Sequence, residues 1–217
     1  MSHGLRPDER LLDIGCGIGN LAIALLDYSQ AYDGFDVDRE AVAWCAACIT
    51  PRRPSFRFHF ADVHNDAYNP GGHEQASRYR FPFDDATFDV IYVASVFTHM
   101  HPDDVQHYLC EISRVLTPAG RCIASAFLLN AETRHGIEAG ASFMSFAAAE
   151  KSDLYRLHDA TRPEAAVAID EGFVRHAYET AGLTIAAVRR GEWWSGKRHD
   201  QDVITALKRD CGTTTTP

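Results

Sequence analysis

Three glycines at alternate positions, Gly15, Gly17 and Gly19, follow an apolar run and precede a stretch with helical spacing. Residues 10–14 predict a short strand, and residues 20–26 predict a helix with its apolar side chains on one face. Because glycine has no Cβ atom, a bend built from it can be tight and its backbone N–H groups can approach a ligand closely. The pattern predicts a strand–loop–helix unit whose loop binds a ligand.

The charge beside this loop restricts the ligand. Asp13 stands two residues before Gly15, and the glycine spacing is G-x-G-x-G, whereas dinucleotide-binding folds use G-x-G-x-x-G. A buried anion here would repel a pyrophosphate and attract a ligand that carries an ammonium and a sulfonium. S-adenosylmethionine (SAM) has that combination of charges, and its own carboxylate could bind the loop amides.

Strand and helix patterns alternate along the rest of the chain. Further strands are predicted at residues 31–38, 56–63, 88–97, 121–129, 183–188 and 202–207, and further helices at residues 40–48, 102–116 and 170–181. Such alternation favours an α/β fold with a doubly wound, mostly parallel sheet. Residues 131–163 show no clear period, so we predict an inserted lid after the fifth strand. We expect a single domain over residues 1–210 and a frayed tail at residues 211–217.

Two further carboxylates end predicted strands. Asp36 lies about 20 residues beyond the first glycine, where nucleoside-binding α/β folds place an acid that accepts from ribose hydroxyls. Asp62 closes the third strand, where it could accept from an adenine amino group while Val37 and Val63 enclose the ring. Asp38 is expected at the surface or as a helix cap.

Taken together, residues 11–20, 34–38, 61–63, 88–91 and 114–120 resemble the class I SAM-dependent methyltransferases, in the order of that family. The resemblance implies a Rossmann-like sheet of seven strands with the last strand antiparallel, and SAM as the cofactor. It places the glycines at the methionine end of SAM, Asp36 at the ribose, and Ser95 near the methyl group. The predicted cofactor-binding residues are Asp13, Gly15, Cys16, Gly17, Gly19, Asp36, Val37, Asp62, Val63 and Ser95.

One departure concerns the start of the chain. Members of this family usually carry one or two helices before the first strand, but only nine residues precede it here. Either the chain is shortened or the lid at residues 131–163 covers the cofactor alone.

The fourth strand leads into Ser95-Val96-Phe97-Thr98-His99-Met100-His101, which holds two histidines and lacks the Asn/Asp-Pro-Pro-aromatic motif of methyltransferases that act on nucleobase amines. Histidine titrates near neutral pH, so His99 is our candidate general base. The alternative is that His99 braces the helix that follows. His101, Phe143 and Tyr155 are the candidate substrate-binding residues.

Charge and composition restrict the partners. The 21 Lys and Arg residues are outnumbered by 30 Asp and Glu residues, and the net charge of −9 disfavours nucleic acid. The longest uncharged apolar stretch, residues 90–102, is too short to span a bilayer, and no secretory signal begins the chain, so we expect a cytoplasmic protein. Cys45 and Cys48 form a CxxC inside a predicted helix, without a second ligand pair, and we predict no metal site. A homodimer is possible.

Three functions fit these observations. The leading hypothesis is SAM-dependent methyl transfer to an oxygen, or less favourably a nitrogen, of a small-molecule acceptor. The alternative is a SAM-binding protein with a regulatory role or a different SAM chemistry. A dinucleotide oxidoreductase is the weakest of the three, because the acid beside the loop opposes a pyrophosphate.

Overall fold

The computed structural model describes residues 5–149 and 152–209. Within them the strands are β1 Arg10–Ile14, β2 Ala31–Asp36, β3 Phe56–Phe60, β4 Phe88–Val93, β5 Leu116–Leu129, β6 Ala147–Ala149, β7 Ser152–Leu157, β8 Val167–Asp170, β9 Leu183–Arg189 and β10 Asp202–Lys208. The helices are α1 Asn20–Leu25, α2 Arg39–Cys48, α3 Pro102–Val115, α4 Ala131–Glu138 and α5 Glu171–Thr180. Short 3-10 helices occupy Ala76–Arg78, Phe97–His99 and Pro163–Ala165.

The strands form one mostly parallel sheet. Seven of them lie side by side in the order β3-β2-β1-β4-β5-β10-β9, with β10 antiparallel to both β5 and β9. Three more strands extend the sheet from the end of β5 in the order β8-β7-β6. The prediction of a Rossmann-like sheet with an antiparallel last strand is confirmed, and the described residues contain ten strands rather than the predicted seven.

Helices cover both faces of the sheet, as the doubly wound prediction requires. Leu12 and Ile14 of β1 point into a large core shared with α3 and α5, whereas Leu11 packs on the opposite face with α1 and α2. This division follows from the period of two in a strand, which sends successive side chains to opposite faces. The central strands are therefore buried on both sides, as parallel strands usually are.

Several strands end earlier than the sequence pattern predicts. β2 stops at Asp36, because Asp38 is the N-cap of α2 and its carboxylate accepts from the N–H groups of Glu40 and Ala41, each over 3.0 Å. β4 stops at Val93, and the following residues turn into a 3-10 helix. Both β2 and β4 thus end at the same edge of the sheet, and each is followed there by a loop that carries polar side chains.

The described residues of the segment 131–163 include regular elements, which the sequence pattern did not predict. Asn130 begins α4 by accepting from the N–H groups of Glu132 and Thr133. The chain then forms β6 and β7, which pair antiparallel, and β7 pairs antiparallel with β8. β6 and β7 of this segment therefore extend the sheet. The predicted tail at residues 211–217 lies outside the described residues, and the single-domain boundary at residue 210 stays a prediction.

Among the described residues, none of the helices has both the length and the apolar character needed to cross a membrane.

Candidate cofactor and active site

A cavity of about 310 Å³ opens at the carboxyl ends of β1, β2 and β4. This is the edge of an open α/β sheet at which ligands bind. The cavity is lined by Ile14, Gly15, Gly17, Phe35, Asp36, Val37, Asp38, Val63, His64, Asn65, Tyr68, Ala76, Ala94, Ser95, Val96, His99, Met100, Asp104, Tyr108 and Glu164.

The glycine loop forms the floor of this cavity and needs glycine for two different reasons. Gly15 has a φ of 74°, and a Cβ atom built there would overlap the side chain of Val96. Gly17 has a φ of 50° and open space around it, because it faces the cavity. The N–H groups of Gly15 and Cys16 both donate to the carbonyl of Phe35, which fastens the loop to β2.

Asp36 connects the glycine loop to the end of β2. Its Oδ2 accepts from the N–H of Gly17 over 2.7 Å, and its Oδ1 accepts from the N–H of Asp38 over 2.9 Å. A carboxylate offers about four acceptor sites, so both oxygens keep capacity for ribose hydroxyls. Val37 and Val63 line the cavity beside it and supply apolar surface for a base.

Asp13 does not line the cavity, contrary to its predicted place among the cofactor-binding residues. Its carboxylate is 4% exposed and accepts from the hydroxyl of Tyr32 over 2.6 Å. Burial raises the pKa of Asp13 to about 7, and the hydrogen bond from Tyr32 opposes this shift. The carboxyl lies within the core beneath α1 and α2, so it is a structural group.

Asp62 also lies outside the cavity lining. Its Oδ2 is 2.7 Å from Nδ1 of His73, and this hydrogen bond lowers the pKa of the carboxyl. The loop after β3 brings His73 back to Asp62, where the N–H groups of His73 and Glu74 donate to the Asp62 carbonyl. The predicted adenine contact of Asp62 stays a prediction, whereas Val63 lines the cavity.

Two other predicted cofactor residues, Cys16 and Gly19, support the glycine loop on the side away from the cavity. Cys16 is buried, and a Cβ atom on Gly34 would meet its side chain, so it packs against β2. Gly19, with a φ of 76°, is the N-cap of α1 and lies against Ile49. Neither lines the cavity, and both act on its shape through packing.

His99 lines the cavity at the end of its 3-10 helix. Its Nδ1 lies 2.8 Å from the backbone carbonyl of Glu164. Because a carbonyl only accepts, Nδ1 must carry the proton, and Nε2 is the unprotonated nitrogen of the neutral ring. The ring of Tyr68 meets His99 edge-on, with centroids 5.9 Å apart. The carbonyl of Glu164 thus fixes the tautomer of the imidazole, and the ring of Tyr68 packs against it.

The three predicted substrate-binding residues do not line this cavity. His101 is the N-cap of α3, and its ring meets that of Tyr155 edge-on at 5.2 Å. Phe143 stacks on His199, with the ring centroids 4.2 Å apart. The structure therefore brings His101 and Tyr155 together and places Phe143 elsewhere.

The pattern missed several residues of the cavity wall. Tyr68, Asp104, Tyr108 and Glu164 line it, and burial raises the pKa of the Asp104, Tyr108 and Glu164 side chains. Asp104 and Tyr108 are four residues apart on α3, a spacing that puts them on one helix face and that could have been noticed. None of the described residues of the 131–163 segment lines this cavity, and the expectation that the segment covers the cofactor stays a prediction.

One group of side chains at the rim could jointly hold a cation. Ligand atoms of His64, Asp66 and Glu164 all lie within 4.8 Å of one another. One oxygen of Glu164, Oε2, already accepts from the N–H of Asp66 over 2.7 Å. We assign no ion to this group, and the predicted lack of a metal site stays a prediction.

Comparison with known proteins identifies the family. Residues 12–124, just over half of the chain, match the family described as "Methyltransferase domain". The chain belongs to the class I SAM-dependent methyltransferases. It is 33% identical over 138 residues to the 27-O-demethylrifamycin SV methyltransferase of Amycolatopsis mediterranei (strain S699), an alignment that covers 63% of this chain and 45% of that protein. The chain spans less than half the length of the curated relatives that it matches first.

Solved structures show the same fold. A SAM-dependent methyltransferase of Methanosarcina mazei aligns with a TM-score of 0.62 at 20% identity over 94% of both chains. The 1,6-didemethyltoxoflavin-N1-methyltransferase of Burkholderia thailandensis, solved with its acceptor and S-adenosylhomocysteine, aligns with a TM-score of 0.59 at 20% identity over 94% of this chain and 72% of that one.

Membership of the methyltransferase family makes SAM the cofactor, and the cavity fits it. A glycine loop without side chains, a strand-end carboxylate with free acceptor capacity and paired valines occur together in Gly17, Asp36, Val37 and Val63. These are the groups that an amino-acid tail, a ribose and an adenine need.

Proposed function

We propose that this protein transfers the methyl group of SAM to an oxygen atom of a small-molecule acceptor, with nitrogen as the second choice. When bound, SAM supplies an electrophilic methyl carbon on a positively charged sulfur. The observation that supports oxygen is the contact between Nδ1 of His99 and the carbonyl of Glu164.

His99 has the properties of a general base for a hydroxyl. A hydroxyl acceptor must lose its proton as it attacks, and a positioned base accelerates such a step about 10²- to 10⁴-fold. The carbonyl of Glu164 fixes the tautomer, and Nε2 of His99 has no hydrogen-bond partner among residues 5–149 and 152–209. A neutral amine is nucleophilic without such a base, so an oriented imidazole favours an oxygen acceptor.

The size and charge of the site favour a small molecule over nucleic acid. The cavity falls in the size range of small-molecule sites, which starts at about 300 Å³. Nucleic-acid binding depends on Lys and Arg contacts to phosphates, and this chain has a net charge of −9. A cytoplasmic location and a homodimer stay predictions from the sequence.

The test has two stages. Thermal unfolding is first followed with S-adenosylhomocysteine (SAH) and with NAD, because a ligand at 100 times its Kd adds about 2.7 kcal/mol of stability. SAH should raise the midpoint and NAD should not. SAH formation from SAM is then measured with pairs of acceptors that differ only in a hydroxyl or an amine.

The outcomes separate the hypotheses. Turnover of hydroxyl acceptors that exceeds that of their amine partners supports the proposal. Faster methylation of the amines contradicts the choice of oxygen. Stabilisation by SAH without methylation of any acceptor would favour the SAM-binding alternative, and stabilisation by NAD alone would overturn the assignment of the cavity.

A further inference from the structure

A second cavity of about 300 Å³ adjoins the cofactor cavity, and both include Ala94 and Ser95 in their linings. It lies on the α1 and α2 side of the sheet, over β4, β5 and β10. Its lining consists of Tyr92, Val93, Ala94, Ser95, Ile123, Ala124, Ser125, Arg189, His199, Gln201 and Val203.

Ser95, at the junction of the two cavities, is held in an unusual conformation. Its φ of 57° is rare for a residue with a side chain. Its N–H donates to Oγ of Ser125 over 2.8 Å, and Nε2 of Gln201 donates to its Oγ over 3.0 Å. Strained backbone persists where the surroundings enforce it, and such positions cluster at functional sites. Ser125 of β5 and Gln201, which precedes β10, therefore hold Ser95 in place at the boundary between the two cavities.

The charge of the second cavity is opposite to that of the chain as a whole. Its lining includes Arg189 and His199 but no Asp or Glu, although the net charge of the protein is −9. The nearest acidic partner of Arg189 is Asp200, whose carboxylate is 3.5 Å away and does not line the cavity. Arginine matches the geometry of a carboxylate with two parallel N–H donors.

Phe143 does not line the second cavity but contacts a residue that does. Its ring stacks on that of His199, which is one of the lining residues. Phe143 thus supports the position of the His199 ring, and its predicted substrate contact stays a prediction.

We propose that the second cavity binds the methyl acceptor, that the acceptor is a small molecule bearing a carboxylate, and that Arg189 binds that carboxylate. This inference rests on the proposed methyl transfer. The acceptor atom has to come within about 3 Å of the methyl carbon, so the acceptor must bind in a cavity that adjoins the cofactor site. The second cavity adjoins it at Ala94 and Ser95. Gln201 and the two serines offer hydrogen bonds to the rest of the acceptor.

Matched probes test the class of acceptor. Calorimetry on protein saturated with SAH would compare 4-hydroxybenzoate with 4-hydroxybenzamide, which differ in the charge of one group. The unmodified protein should bind the benzoate about tenfold more tightly, because a charge-assisted pair forms with Arg189. Arg189→Ala should remove this preference. Arg198→Ala is the control, because Arg198 is 70% exposed, lies in the loop that follows β9 and does not line the cavity.

Filling the cavity tests its location. Val203→Trp should abolish binding of 4-hydroxybenzoate while SAH still raises the melting temperature. Leu207→Trp, on the same strand outside the cavity lining, should leave both unchanged.

Failure of this inference is distinguishable from failure of the proposed function. If SAH does not stabilise the protein, the assignment of the cofactor cavity is wrong. If SAH binds but the two probes bind equally or not at all, or if Arg198→Ala removes the preference as Arg189→Ala does, the carboxylate inference is overturned and the methyltransferase assignment stands. Binding of the benzoate to a folded Val203→Trp protein would show that the acceptor lies elsewhere.

Discussion

The hydroxyl of Tyr32 donates to the carboxylate of Asp13 over 2.6 Å, between the first two strands of the sheet. Both side chains are buried, at 0% and 4% exposure. No cation pairs with Asp13 among the described residues. Loss of solvation therefore dominates, and it raises the pKa of Asp13 to about 7.

Asp13→Asn should change the pH dependence of stability. The folded-state pKa lies above the ordinary value of 3.8, so the contribution of Asp13 is fully present below that value and is lost as the pH rises through about 7. The slope from this group reaches at most about 1.4 kcal/mol per pH unit. Asparagine keeps an acceptor for Tyr32 without the charge. Urea unfolding measures the free energy of unfolding at pH 5 and pH 8. Relative to the unmodified protein, the variant should be more stable at pH 8 than at pH 5.

Asp33→Asn is the control for this prediction, because the pKa of Asp33 is shifted in the opposite direction to that of Asp13. Asp33 is also buried, but His59 and Arg57 bond to it and outweigh the effect of burial, so its pKa is lowered. Its contribution is present above the ordinary pKa, and the variant should be less stable at neutral pH. Equal pH profiles for Asp13→Asn and the unmodified protein would contradict our account of Asp13.

Asp36→Ala should weaken SAH binding by about 1–3 kcal/mol, the usual cost of lost hydrogen bonds to a charged group. The variant should remain folded, because the carboxylate joins two loops at the cavity and is not part of the core. Isothermal calorimetry measures the affinity directly. Asp62→Ala is the informative comparison, since Asp62 bonds to His73 outside the cavity lining and its loss should leave the affinity unchanged. The reverse ranking would restore the adenine contact predicted from the sequence.

Gly15→Ala should destabilise the protein for two separable reasons. The positive φ costs an L-residue roughly 1–2 kcal/mol, and the new Cβ atom overlaps Val96. Adding Val96→Ala removes the overlap alone, so the double variant should recover part of the loss in chemical denaturation. Gly17→Ala carries the cost of its positive φ but meets no atom within 4 Å, so it should lose less stability than Gly15→Ala while SAH affinity falls. A double variant no more stable than Gly15→Ala would show that overlap contributes nothing.

Sequence periodicity predicted the strands and helices whose burial can be read from their own pattern of apolar residues. β1 has the predicted bounds, because its apolar run points alternately to two faces of the sheet and both faces are covered. The same alternation also determines the direction of Asp13. It lies between Leu12 and Ile14, which face the core shared with α3 and α5, so a period of two sends Asp13 to the other side. Its role was misjudged because charge was considered before direction.

The rest of the site depends on contacts distant in sequence. Asp62 meets His73 only because the intervening loop turns back, and His99 meets Glu164 across 65 residues. β7 pairs with β8, and β8 in turn pairs with the last residues of β5. No local pattern reports such pairings, because their stability comes from the partner segment.

His99→Ala distinguishes the two roles considered for His99, a general base for the acceptor and a structural support for the following helix. If Nε2 of His99 removes the acceptor proton, kcat for hydroxyl acceptors should fall about 10²- to 10⁴-fold, amine acceptors should be little affected, and SAH affinity should hold. His107→Ala is the matched control, because His107 likewise bonds a backbone carbonyl, that of Tyr79 over 2.9 Å, away from the cavity lining. A lower melting temperature with unchanged turnover would make His99 a support for the 3-10 helix, and the proton would then leave by a route that does not involve this ring.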